Sequence, residues 1–230
     1  MNFLKLYSFF LFFLLFTFCI EAKGQEVIFS NPINGTNPSD NNPFTTGQTS
    51  NANITVSGIG FGSGVTSNPA NDRYNVKGWE SSSLDATDYF TFTITPNSGY
   101  EIDFSSFVYS GQASGTGPVN FAFRSSIDGF TNNIGSPSAS GSTIDLSGSS
   151  YQNITSAIEF RLYAWGASSA GGTFSINDFT FNGSVVSTGC YVPDAAGAIS
   201  GPTSVLPNQS GVAYSVNPIN NATGYVWNLP

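Results

Sequence analysis

The residues with the most suggestive chemistry lie at 158–165. Ile158, Phe160, Leu162 and Ala164 alternate with Glu159, Arg161, Tyr163 and Trp165. Alternation of this kind is the period of a half-buried strand, whose odd and even side chains point to opposite faces. With the apolar set inward, Arg161, Tyr163 and Trp165 form an outward row. Such a row suits the face of a sugar ring: pyranose C–H groups stack on indole and phenol rings while Arg and Asn donate to hydroxyls. Arg124, on the outward phase of its own strand, joins them. Trp79 follows the polar loop at residues 71–75 and belongs to the same candidate ligand set. The competing reading is packing, because aromatic side chains mostly fill cores. In that case a loop or a second sheet covers the row.

A second constellation is Asn177-Asp178 near the end of the module, with Glu26 in the first strand. Their oxygens are of the kind that calcium takes, and the plainer reading is a β-bulge at 177–178. Catalysis finds little support. The chain has no histidine, which excludes Ser-His-Asp and Cys-His nucleophile systems and the common His-based zinc sites. A glycosidase needs two carboxylates flanking a cleft. Glu80, Asp85, Asp88, Glu101, Asp103 and Glu159 are candidates, but no two stand out as a pair. A non-enzymatic protein is expected.

Composition sets the frame for these sites. Of the 230 residues only 9% are charged, while Gly, Phe and small polar residues are abundant. Such a mixture suits a β protein with many tight turns. The formal charge is −8. A surface of that sign repels phosphate backbones, so no nucleic-acid partner is expected. Lys5, the apolar run at 6–20 and Ala22-Lys23-Gly24 read as a secretory signal cleaved after Gly24. The run is short for a bilayer span, and no later segment is apolar enough to cross one. A secreted or cell-surface location follows. Cys19 lies inside the signal, so Cys190 is the sole cysteine of the exported product and an intramolecular disulfide is excluded.

The mature chain reads as short strands. Phe90, Phe92 and Ile94 share one face of 88–95, and Pro96-Asn97-Ser98-Gly99 ends that strand. Tyr100, Ile102 and Phe104 begin the next. Val119, Phe121 and Phe123 form another inward set, and weaker strands fall at 26–30, 51–57, 107–110 and 143–146. At 173–182 the inward phase changes between Phe174-x-Ile176 and Phe179-x-Phe181, which one extra residue near 177–178 reconciles. The expected fold is all-β: an antiparallel β-sandwich of jelly-roll type with about eight or nine strands. The expected organisation is a signal peptide at 1–24, the sandwich at 25–186, a linker at 187–200 and the opening strands of an incomplete immunoglobulin-like β domain at 201–230. Further domains of the same chain are expected downstream of Pro230.

Two stretches carry resemblances. "DYFTFTITPNSGYEIDFSSFVYSGQASGTGPVNFAFRSSIDGF" with "IEFRLYAWGASSAGGTFSINDFTFNG" resembles a β-sandwich module of modular exported bacterial proteins. The resemblance implies a jelly roll akin to carbohydrate-binding modules, with a polysaccharide or surface glycan as the partner, and no known reaction. Many such modules carry a structural calcium bound by acids near the first and last strands, so the resemblance makes Asp178, Asn177 and Glu26 candidate calcium ligands. "ISGPTSVLPNQSGVAYSVNPINNATGYVWNLP" resembles the start of a PKD-like, immunoglobulin-like domain, with Tyr225-x-Trp227 as the strand that places a core tryptophan. Together they imply an accessory module that binds glycan. The alternative is a structural or adhesive spacer with no small ligand, any catalysis lying in a downstream domain.

Overall fold

The computed structural model describes residues 26–38, 41–189, 193–204, 206, 209–220, 222 and 224–226. The export signal with Cys19, and also Cys190 and Trp227, lie outside the described residues. Among the described residues eleven strands follow one another: β1 Glu26–Asn31, β2 Thr49–Ser50, β3 Ile54–Phe61, β4 Thr66–Ser67, β5 Tyr74–Lys77, β6 Tyr89–Pro96, β7 Tyr100–Ala113, β8 Asn120–Ser125, β9 Gly141–Asp145, β10 Ile158–Trp165 and β11 Thr173–Ser187. The helical elements among the described residues are two short 3-10 turns, Ser126–Asp128 and Ser149–Tyr151.

All strand pairs are antiparallel and form two sheets. The smaller runs β3-β6-β10-β8. The larger is organised on β11, which pairs with β7 along nearly its whole length. On the other side of β11, β5 pairs with its first residues and β1 with later ones. β9 lies beyond β7, β2 beyond β1 and β4 beyond β5. Leaving aside the two-residue β2 and β4, each step along the chain changes sheet. First and last strands pair, and the chain winds round the core as a jelly roll does.

The alternating residues meet between the sheets. Phe90, Phe92, Ile94, Phe123, Ile158, Phe160 and Leu162 come from the smaller sheet, and Phe29, Phe104, Phe107, Phe174, Phe179 and Phe181 from the larger; all are buried. The rings interlock across the gap, as in Phe92–Phe179 at 4.8 Å, Phe107–Phe123 at 4.7 Å and Phe160–Phe181 at 5.3 Å between centroids. Offset and edge-to-face pairs at these separations add to simple burial.

The phase change in β11 is a β-bulge: register slips between Ile176 and Asp178, and both aromatic pairs face the core. A second slip, between Asn182 and Gly183, is met on β7 by the extra residue Ser105. This overturns the expected break between a strand at 100 and another at 107. One 14-residue strand spans both, because the bulge carries Ile102 and Phe104 on one phase and Phe107 and Tyr109 on the other to the same interior. Gly183 is required there, since a Cβ would run into the Asp103 carbonyl.

Two further expectations are corrected. Val119 is 72% exposed. It lies just before β8, bonded through its N–H to the Trp165 carbonyl, while Phe121 and Phe123 carry the inward set. The polar loop at 71–75 runs directly into β5, and Tyr74 is buried with its hydroxyl donating to the Asn41 carbonyl at 2.9 Å. Asp72 accepts the Gly35 N–H at 2.7 Å, which ties this loop to a turn distant in sequence. Toward the C-terminus, β11 continues to Ser187 and the Thr188 N–H bonds to the Gly99 carbonyl. The described residues beyond 193 hold an isolated bridge between Ser200 and Ser215.

Candidate functional site

The outward row of β10 occupies the outer face of the smaller sheet. Register sets its neighbours: Tyr163 stands between Tyr89 and Ala122, Arg161 between Thr91 and Arg124, and Trp165 beside Asn120. The structure thus brings Arg161, Tyr163, Trp165 and Arg124 together on one surface, as the alternation implies. It does not leave them as an open, coplanar platform. Tyr163 is only 2% exposed, and its ring meets Tyr89 edge to face at 5.4 Å. Trp165 and Tyr89 are half-buried.

Arg161 is the centre of the arrangement. Its guanidinium lies 4.2 Å from the Tyr89 ring centroid and 3.9 Å from that of Phe130. Its Nε donates to Glu159 Oε1 at 2.7 Å, and the same carboxylate oxygen accepts the Thr91 hydroxyl at 2.8 Å. Phe130 comes from the loop after β8. There the Asp128 carboxylate accepts the N–H groups of Thr131 and Asn132, and Gly129 and Phe130 both adopt positive φ. Arg124 holds that loop down, donating from Nε to Asn133 Oδ1 at 2.8 Å and from Nη1 to the Phe130 carbonyl at 2.9 Å. A cation between two ring faces is a favourable electrostatic contact. The face is therefore a closed stack, with a loop seated where a flat ligand would lie.

Phe130, Tyr89 and Asn133 are the members that site reasoning on the sequence omits, and Glu159 is named there only as a candidate acid. Tyr89 and Glu159 share the outward phase of their strands and could have been found by that rule. The Asp128-Gly129-Phe130 run marks a turn, but nothing local says which face it covers.

Trp79 is corrected from binding residue to core residue. It is fully buried, its indole N–H donates to the Val76 carbonyl at 2.9 Å, and it packs on Phe90 and Phe174. The proposed calcium ligands do not converge. Glu26 stands opposite Gly183, whereas Asp178 lies at the bulge five positions back along β11, roughly 15 Å away at strand rise. Glu26 accepts from the Asn51 amide, Asp178 from the Ser110 hydroxyl, and Asn177 from the Ser175 hydroxyl. Among the described residues no group of three His, Cys, Asp or Glu side chains is placed to share a metal ion.

Two of the other acids serve local structure. Asp85 accepts the N–H and hydroxyl of Thr87, which lowers its pKa, and Asp103 accepts the Asn153 N–H at 2.6 Å. Asp88 differs. It is 4% exposed and holds the Ser81 hydroxyl at 2.8 Å. Burial raises its pKa above the ordinary 3.8, with Asp85 and Glu80 pushing the same way against the Ser81 and Thr87 hydroxyls. The unfolded chain therefore gives up this proton first. The stability contribution of Asp88 is complete below the unfolded pKa and is lost as pH rises through the folded one. Asp88→Asn is neutral at every pH. Its melting temperature, relative to the parent protein, is expected to climb as pH rises from the ordinary aspartate range toward neutrality. A constant difference across thermal melts in that range would refute the assignment.

Residues 192–230 match the family model described as a PKD-like domain. No curated protein matches the chain. The fold and this match together define a chain with a jelly-roll-wound β-sandwich followed by a region similar to PKD-like domains. No helix of the described residues is long and apolar enough to cross a membrane.

Proposed function

We propose that this is a non-enzymatic structural or adhesive module of an extracellular protein, in which the sandwich is a rigid unit set ahead of the PKD-like region. One observation carries the reading: the aromatic row that would stack neutral sugars is packed shut, with Tyr163 2% exposed and Phe130 lying on Arg161. The continuous ring-filled interior supports the rigid-unit role. The similarity of 192–230 to PKD-like domains supports the structural or adhesive reading and the extracellular setting. The carboxylates at hand are tied to hydroxyls, amides and Arg161, which favours a non-catalytic reading.

An array of neutral polysaccharides and oligosaccharides tests it, using the whole chain and a Trp165→Ala variant. Trp165 is the least covered aromatic of the row named from sequence, so it would dominate any neutral-sugar stacking that survives. The expected result is the same background signal from both proteins. A saturable neutral-glycan signal that disappears in Trp165→Ala would restore the sugar-platform reading.

A further inference from the structure

Asn34-Gly35 and Asn182-Gly183 are the two places where glycine follows asparagine. Such a step is chemically weak. The glycine nitrogen can close on the asparagine side-chain amide carbon to form a five-membered imide, and glycine has no Cβ to hinder the turn. The fold treats the two steps differently. Asn182 lies inside β11, with β1 on one side and β7 on the other. Its amide donates to the Ser106 hydroxyl at 3.1 Å, and Gly183 is buried. Side chain and nucleophile are both held in the sheet.

Asn34 is exposed in the connection between β1 and β2, outside any strand. Positive φ at Ile33 and Gly35 bends the backbone on both sides of it. A Cβ placed on Gly35 would meet nothing within 4 Å, so the chain is open there. One restraint stands at the reacting atom itself. The Gly35 N–H donates to Asp72 Oδ1 at 2.7 Å, and the Asp72 N–H donates back to the Thr36 carbonyl at 2.8 Å. These two bonds latch the turn to a loop distant in sequence.

We propose that Asn34 is a site of spontaneous deamidation and that Asp72 restrains its rate. Base from solvent removes the Gly35 N–H proton, and the nitrogen attacks Asn34 Cγ. The N–Cγ bond forms, the Cγ–Nδ2 bond breaks, and Nδ2 leaves as ammonia with a proton from water. A second water opens the imide at either carbonyl, giving aspartate or isoaspartate; no oxidant or reductant takes part. Asp72 opposes the first step. Its carboxylate stabilises the intact N–H through a charge-assisted bond, and it would face the amide anion as a like charge. The product undoes the latch. A carboxylate at position 34 adds negative charge near Asp72, and the isoaspartyl form lengthens the main chain by one carbon, which displaces the Gly35 N–H.

The full chain is aged at neutral pH beside Asp72→Ala and Asp72→Asn variants and sampled by peptide mass mapping, with circular dichroism to confirm folding. The folded parent is expected to lose its amide at Asn34 well before Asn182. Asp72→Ala is expected to accelerate the loss at Asn34 about threefold to tenfold, the scale of a hydrogen bond to a charged group. Asp72→Asn should fall between parent and alanine variant, because its neutral oxygen can still accept the Gly35 N–H. In guanidinium chloride the parent should convert both sites at similar rates, with Asn34 faster than in the folded chain. That arm tests the latch even if Asp72→Ala fails to fold. Asn182 converting as fast as Asn34 in the folded parent, a folded Asp72→Ala variant no faster than the parent, or Asn34 no faster in denaturant would each overturn the proposal.

Discussion

Replacing Phe181 with alanine is expected to cost the sandwich about 3–5 kcal/mol, the range for emptying a buried aromatic position. Phe181 is fully buried near the middle of β11. Its ring centroid lies 4.5 Å from that of Phe107, 5.3 Å from Phe160, 5.4 Å from Phe92 and 6.0 Å from Phe29. Those partners come from both sheets, so no single strand can shift to fill the space. The neighbours are themselves large and interlocked, which limits collapse and keeps the cavity term high. Thr180→Ala is the natural control. Thr180 is adjacent on β11 and faces outward, and its loss is expected to change stability by about 0.5 kcal/mol or less. Denaturant unfolding of the two variants separates the cases. A Phe181→Ala midpoint equal to that of Thr180→Ala would mean the two sheets do not close on this ring.

Much of that interior is legible in the alternation. Phe90, Phe92 and Ile94 and the set from Ile158 to Ala164 sort as strands because both segments lack interruptions. The change of phase in β11 is legible too, since a buried strand can keep two aromatic pairs inside only by inserting a residue. The same logic applies to 102–109, where an unbroken phase from Ile102 and Phe104 would turn Ser106 inward and leave Phe107 and Tyr109 outside. A phase change there looks like the end of a strand unless its partner shows a matching slip. Trp79 is misread because its flanks are polar or glycine; its burial depends on Phe90 and Phe174, distant in sequence. The calcium set fails for a reason of register: proximity of first and last strands does not align Glu26 with Asp178. Alternation puts the outer-face row on its proper surface but does not reveal the loop that closes it. Asp128-Gly129-Phe130 encodes a turn, and the docking of Phe130 on Arg161 is a tertiary contact that local sequence does not encode.

That docking makes Arg161 the strongest lever on the outer face. Arg161→Ala is expected to destabilise the sandwich by about 2 kcal/mol, combining two ring contacts at roughly 0.5–1 kcal/mol each with lost stem packing. The side chain is 21% exposed, so solvent screens the Glu159 pairing only in part. Glu159 would retain the Thr91 hydroxyl, which limits the cost of its isolation. The larger consequence is local. Phe130 loses the plane it rests on, and its loop then depends on Arg124 and on the Phe130 N–H bond to the Ser125 carbonyl. Hydrogen exchange at Phe130 and Ile134, whose N–H groups bond to Ser125 and Phe123, should accelerate more than exchange in β6. Arg161→Lys discriminates between charge and shape. Lysine keeps the cation but cannot lie flat between Tyr89 and Phe130, so it should restore less than half of the lost stability and protection. Full restoration by lysine would mean that charge alone holds the loop, and the ring–guanidinium–ring stack would lose its role as the clamp of this face.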